Sequence, residues 1–229
     1  MATYLHEAEP PIIESSKLEH LTADQVLMTT RSVKKRLDLS RPVPRALIRD
    51  CIEIAMQAPN GGNRQEFRFV VVDDPALKAA VADYYRRAFA LVSRRAQPAW
   101  EGARAEQGRR RRAASEYLND HMHEVPALVF HCVEMKAADP SSTFDQAGLW
   151  GSVLPAAWSF MLAARARGLG ASWTTLHLLY EKEIGDLLGI PAERVTQTGM
   201  MPVGFYQGNG FKPALRVPVA DVLGWNRYP

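Results

Sequence analysis

Arg31, Ser32, Lys34, Lys35 and Arg36 fall within one short stretch, RSVKKR. A phosphate is best held by charge-assisted donors arriving from several directions. This set offers a planar guanidinium fork, a point-charge ammonium and a short hydroxyl bond. The competing reading is a solvated basic turn. A second cluster is APNGGNRQEF, residues 58–67, with Pro59, Asn60, Gly61 and Asn63. Asn amides both donate and accept, and glycine lets a flat ligand approach the backbone closely. That combination suits a planar heterocycle edged with carbonyls and ring nitrogens. A plain turn with a left-handed Asn accounts for one Asn and one Gly, but not for the whole run. A third cluster is GLGASWTTL, residues 168–176. It lacks the complete GxGxxG of a dinucleotide fingerprint and follows a helical pattern instead of a strand. Gly168 and Gly170 therefore read as helix termination and close packing. Thr174 and Thr175 are either ligand contacts at a strand end or simply β-formers. Arg216, in KPALRVP, gains interest only from the company of the other cations.

Several chemistries are absent from the sequence. There is no GxxxxGK[ST], no HExxH and no GxSxG. His121 and His123 are the nearest His pair, and alternate spacing is not natural chelation geometry, so no metal site is expected. Net charge is +3, which suits anionic ligands without arguing for nucleic acid. The Arg-rich stretch 94–112 reads first as a solvated helix or loop. Nucleic acid and the phosphate of NADPH are the alternatives, with aromatic interleaving limited to Trp100. Cys51 and Cys132 are too few for a disulfide framework, and the N-terminus shows no basic-then-apolar signal pattern, so the cytoplasm is expected. No apolar run is read as reaching the roughly 18 residues of a membrane span.

The elements that must position these residues follow from periodicity. Residues 1–21 read as an extended N-terminal arm and 22–229 as one domain. Thr22 can cap a helix from Ala23. ALIRDCIEIAMQ places Leu47, Ile48, Cys51, Ile52, Ala55 and Met56 on one helical face. FRFVVV is a short apolar strand, and Asp74-Pro75 can start the helix after it. A second strand is expected around 125–134, a third around 171–175 and a fourth within RVTQTGMMPVGFYQG. The apolar segment DQAGLWGSVLPAAWSFMLAARARG should be helical, kinked or split at Pro155. Strands spaced by dominant helical runs predict an α+β fold, with helices around one sheet.

Taken in order, the clusters resemble the FMN-dependent nitroreductase family, and within it the actinobacterial-type proteins. RSVK resembles the family's phosphate-binding RS-x-[RK]. APNGGNRQEF resembles APSxxNxQPW, ARGLGASWTTLHLLYEKEIGDLLGIP resembles GLGxxW…LLGIP, and LRVPVADVL resembles xRxPLEEVL. The resemblance implies a nitroreductase-like fold: a central mixed or antiparallel sheet flanked by helices, in an intertwined homodimer. It implies FMN as cofactor, with NADH or NADPH as reductant and a small-molecule acceptor such as a nitroaromatic or quinone reduced by ping-pong turnover. Specialised flavin chemistry (dehydrogenation, dehalogenation or flavin fragmentation) and a non-catalytic flavin-binding regulator are the alternatives. By residue, Arg31, Ser32 and Lys34 would hold the phosphate and ribityl end, with Lys35 or Arg36 able to share the role of Lys34. Pro59, Asn60, Gly61 and Asn63 would come from the partner chain. Thr174 and Thr175 would offer backbone groups along the isoalloxazine, and Arg216 would return to the phosphate or pyrimidine edge. Glu66-Phe67 departs from the family's Pro-Trp, and Thr175 from a Gly. No residue is an obligatory acid or base. His177 and Tyr180 could donate a proton, or simply pack.

Overall fold

The computed structural model describes residues 21–94 and 101–229. The expected N-terminal arm, except for its last residue, lies outside the described residues, as does Trp100. Helix α1, Ala23–Thr29, opens on a capping box: the Thr22 hydroxyl accepts from the Gln25 N–H, and the Gln25 side chain accepts from the Thr22 N–H. Helix α2, Arg45–Ala55, follows Pro44 and buries Ile48, Cys51 and Ala55. Strand β1, Phe67–Val72, leads through an Asp74 cap and Pro75 into helix α3, Pro75–Ser93. Beyond residues 95–100, much of the Arg-rich stretch is helical, in α4, Gly102–His121, which buries only Leu118. Strand β2, Ala127–Val133, comes next.

The long apolar segment splits as its proline requires. Helix α5, Thr143–Gly151, ends before Ser152 and Val153, and helix α6, Leu154–Arg165, starts with Pro155 in its first turn. Within the 23 residues Thr143–Arg165, an 18-residue window has a mean hydropathy of 1.3, which corrects the expectation that no apolar run attains membrane-span length. The segment is broken between its two helices and half buried in the protein, as a core helix pair would be.

Strand β3, Leu169–Ala171, starts earlier than expected. Gly168 at φ +73° turns the chain directly out of α6, and Thr174 pairs with β4 again only as an isolated bridge to Met200. Helix α7, Glu181–Leu188, and strand β4, Thr196–Phe205, complete the fold.

The four strands lie in the order β1-β2-β4-β3, and every pairing is antiparallel. Successive β2 side chains point to opposite faces. Ala127 and Val129 join Ile48, Phe160 and Met201 beneath α2 and α6. Leu128, Phe130 and Cys132 join Val81, Tyr85, Leu118 and Ile184 beneath α3, α4 and α7. Helices cover both faces, so β2 is buried at every position and reads as an apolar run interrupted only by His131. Between His131 and Cys132 the register slips by one residue, and the Thr198 hydroxyl fills the bulge by bonding both the carbonyl and the ring Nδ1 of His131.

Candidate functional site

RSVKKR is docked by Val33 within it and by Leu37 immediately after it. Val33 and Leu37 are buried, Ser32 bridges Ala171 of β3, and the Val33 N–H donates to the Ala171 carbonyl at 2.9 Å. Gly170 permits this approach, because a Cβ there would stand 2.8 Å from the Val33 side chain. The GLG turn and the basic stretch are thus two halves of one contact. Arg36 points away from the other cations. It donates to the carbonyls of Gln207 at 2.7 Å and of Asn209 and Gly210 at 3.1 Å, with its guanidinium over the Phe211 ring at 4.2 Å. These bonds clamp the C-terminal segment, whose next residue, Lys212, accepts from the Arg31 guanidinium through its carbonyl. Arg216 is thereby brought back beside Arg31.

The result is a cavity of about 730 Å³ lined by Arg31, Ser32, Lys34 and Arg216 on one side and by α4 on the other. Its lining carries five cationic side chains, the fourth and fifth being Arg110 and Arg111, and no carboxylate. Partial burial, and then the neighbouring Arg216 charge, hold Arg31 below its ordinary pKa. Lys34 is lowered by burial and then by Arg111. Arg110 is paired with Glu106, whereas Arg31, Lys34 and Arg216 bring like charges to one cavity and raise one another's cost until an anion arrives.

A second, narrower pocket of about 260 Å³ adjoins the first and shares Lys34 and Arg111 with it. Its apolar wall includes Tyr85, Phe89 and Trp173, and Thr174 lies at its edge. The Lys34 ammonium donates to the Ser115 hydroxyl of α4 at 2.8 Å, and the Tyr85 and Thr174 hydroxyls are 3.1 Å apart. On α4 the residues Ala103, Gln107, Arg111 and Ser115 recur every four positions, so one stripe of the helix walls both cavities.

The structure thus assembles Arg31, Ser32, Lys34 and Arg216, with Thr174 next to them, and leaves other expected residues elsewhere. Lys35 is exposed and lines neither cavity, and Arg36 is committed to the C-terminal segment, so neither shares the place of Lys34. The Thr174 backbone is occupied in both directions by Met200, at 2.9 Å each way, and only its hydroxyl faces Tyr85. Thr175 is exposed, and its N–H makes no hydrogen bond among the described residues. His177 is fully buried, edge-on to Phe130, and burial lowers its pKa to about 3. It lines neither cavity, which removes it as a proton donor to them. Tyr180 packs its ring 5.4 Å from that of Tyr84 and also lines neither.

The APNGG loop stands apart from both cavities within one chain. Asn60 is used internally, its Oδ1 accepting from the Gln65 N–H at 2.9 Å. Gly61 is required by packing as well as by reach: its N–H donates to the Ser152 hydroxyl at 3.2 Å, and a Cβ would stand 2.9 Å from that oxygen. Asn63 adopts φ +52°, is exposed, and its amide makes no hydrogen bond among the described residues. Pro59 is exposed as well. Tyr85, Ser115, Arg111 and Trp173 were not among the expected site residues. The Arg run was visible in sequence, whereas nothing local distinguishes Tyr85 or Ser115.

Residues 27–205 match the family model described as Nitroreductase family. Among curated proteins, the chain is similar to the 5,6-dimethylbenzimidazole synthase of Rhodospirillum rubrum, 32% identical over 158 residues that cover 66% of this chain and 68% of the relative. Among solved structures, it is similar to an FMN- and NADPH-dependent nitroreductase from Sphigopyxis sp. strain HMH at 20% identity. That match has a TM-score of 0.64 and covers 91% of this chain and all of the other. An iodotyrosine deiodinase bound to FMN and 3-iodo-L-tyrosine superposes with a TM-score of 0.64 at 21% identity, over 87% of this chain and 96% of the other.

Proposed function

The chain belongs to the nitroreductase family, and from that premise we propose that it binds FMN and acts as an NAD(P)H oxidoreductase on a nitroaromatic, quinone or related small acceptor. The observation that carries this reading is the acid-free cavity walled by Arg31, Ser32, Lys34 and Arg216, whose chemistry calls for an anion of phosphate type. FMN, when bound, supplies the hydride acceptor and two-electron donor of a ping-pong cycle. Arg31, Ser32 and Arg216 would hold its phosphate. Lys34, at the junction of the two cavities, would place a positive charge toward the ring, where negative charge gathers on reduction. The free Thr175 N–H is the backbone donor available beyond it. Over one cycle NAD(P)H and a proton supply two electrons and two protons. A quinone leaves as the hydroquinone, and a nitro group as the nitroso compound with release of water.

We place the partner chain's Pro59, Asn60, Gly61 and Asn63 over this site in a homodimer. The exposure of Asn63 and its unused amide support that arrangement. So does the C-terminal segment, where Val219, Trp225 and Tyr228 are 71%, 82% and 96% exposed and available to a partner chain. Cys51 and Cys132 are free thiols, as suits a reducing cytoplasm. The absorbance spectrum of the purified protein, followed by anaerobic titration with NADH and with NADPH, tests the reading. A colourless protein that takes up no FMN refutes it.

The similarity to the R. rubrum synthase favours a second reading, specialised flavin chemistry on the same fold. Product analysis after turnover under oxygen separates it from simple acceptor reduction. Failure of bound flavin to oxidise either nicotinamide would leave a non-catalytic flavin-binding role.

A further inference from the structure

The narrower pocket has an uneven lining. Tyr85, Phe89 and Trp173 contribute ring surface, and Arg111, Arg112 and Glu116 of α4 line the same pocket. Arg109 and Arg110 are drawn toward Glu106, with which both form ion pairs. Arg112 behaves differently. Glu116 lies four residues on, the spacing of a helical ion pair, yet the two form none. The Arg112 guanidinium is therefore exposed at the pocket rim without a carboxylate on it. With Lys34 and Arg111, the lining holds three cations against the single carboxylate of Glu116. A pocket that joins ring walls to the Arg112 guanidinium at its rim suits flat molecules with an anionic end. The apolar wall rewards burial of a ring, and the guanidinium repays desolvation of a carboxylate.

We propose that the acceptor is a planar aromatic molecule carrying a carboxylate, its ring against Tyr85, Phe89 and Trp173 and its anion drawn to Arg112 at the α4 end of the pocket. This rests on the reading of the protein as a flavin oxidoreductase and names the substrate class of that site. Arg112 is then the residue that sets charge preference, and Glu116 opposes it.

The test compares two acceptors of the same ring and nitro group, 4-nitrobenzoate and methyl 4-nitrobenzoate, on the flavin-loaded protein at saturating reductant. The wild type should show the higher kcat/KM for the anion. Arg112→Gln should lower the anion-to-ester ratio about tenfold, the size of one charge-assisted bond, mainly through KM. Arg112→Lys should restore part of the ratio, and Glu116→Gln should raise it. Calorimetric binding of 4-nitrobenzoate to the oxidised protein, without turnover, should weaken in Arg112→Gln in the same proportion. Equal kcat/KM for acid and ester in the wild type overturns the proposal while leaving the oxidoreductase reading intact. So does an Arg112→Gln variant that lowers both alike, or one that instead changes the preference between NADPH and NADH. A protein that binds no flavin and oxidises no nicotinamide with either acceptor overturns both.

Discussion

Replacing Arg31 by Ala should weaken FMN far more than riboflavin, which differs only in lacking the phosphate. Arg31 and Arg216 sit close enough for the second to depress the pKa of the first, and no carboxylate lines their cavity. A phosphate entering there gains a charge-assisted bond from Arg31 and relieves the repulsion between the two guanidinium groups. One such bond is worth about 1.5–3 kcal/mol, or roughly tenfold to a hundredfold in Kd. Arg31 is only partly buried, so the lower part of that range is expected. The gap between wild type and variant should narrow with salt, as the Debye length falls from about 30 Å at 0.01 M to about 10 Å at 0.1 M. Fluorescence titration of apoprotein with each flavin measures both affinities. Arg31 also donates to the Lys212 carbonyl, so its loss loosens the C-terminal segment, and that effect acts on both flavins alike. Arg31→Lys keeps the charge without the fork and should fall between wild type and Ala for FMN only. If Arg31→Ala weakens the two flavins equally, or leaves both unchanged, the cavity is not a phosphate site and the reasoning fails.

Other outcomes can be checked alongside it. Asn63 sits at φ +52°, so Asn63→Ala strains the turn as well as deleting the amide, whereas Asn63→Gly relieves the backbone and deletes only the amide. If the amide reaches a flavin across a dimer, both variants lose roughly tenfold or more in FMN affinity, and Asn63→Gly keeps its thermal midpoint. A protein that sediments as a monomer at low micromolar concentration while holding flavin refutes the shared site. Gly170→Ala should push Val33 out of place and lower both thermal stability and FMN content, and a variant with normal flavin content would detach the GLG turn from the site. Burial holds His131 and His177 near a pKa of about 3, against about 6.5 for a free imidazole. Between those values the unfolded chain binds protons that the folded chain refuses. The stabilisation is complete above about 6.5 and is lost as pH falls, by up to about 1.4 kcal/mol per pH unit for each ring. Urea midpoints at pH 7, 6 and 5 should decline, with a shallower slope in His177→Phe. A flat profile would show that the rings are not held neutral.

The fold was readable because its signals are local. The helical face of α2, the Thr22 cap, the apolar strand β1 and the break before Pro155 each depend on residues within a turn or two of one another. β3 begins ahead of its expected start because Gly168, a helix terminator by sequence, also launches the strand, leaving only the turn 166–168 between the two. Tyr85 and Ser115 escaped notice for a different reason. They meet Thr174 and Lys34 across 89 and 81 residues of chain, and no pattern along the sequence encodes such a meeting.

RSVKKR shows where the boundary between the readable and the unreadable falls. Its four cations are near equivalents as letters, and the sequence offered Lys35 and Arg36 as substitutes for Lys34. Their roles are sorted by the apolar residues within and just after the run. Val33 docks on Gly170 and Leu37 is buried with its N–H bonded to the Lys34 carbonyl, which pins the stretch at two points. With those points held, Ser32 and Lys34 line the cavity, Lys35 is left in solvent, and Arg36 reaches the carbonyls of residues 207–210. Arg36 thereby governs the site without lining it, since the segment it clamps carries Lys212 to Arg31 and Arg216 to the cavity. A charge run interrupted by one buried aliphatic residue and closed by another is therefore a docked segment whose cations have separate tasks. A solvated turn has no use for a buried valine and leucine at those positions. Val33 and Leu37 were the part of the motif that distinguished the two readings, and they carry no charge at all.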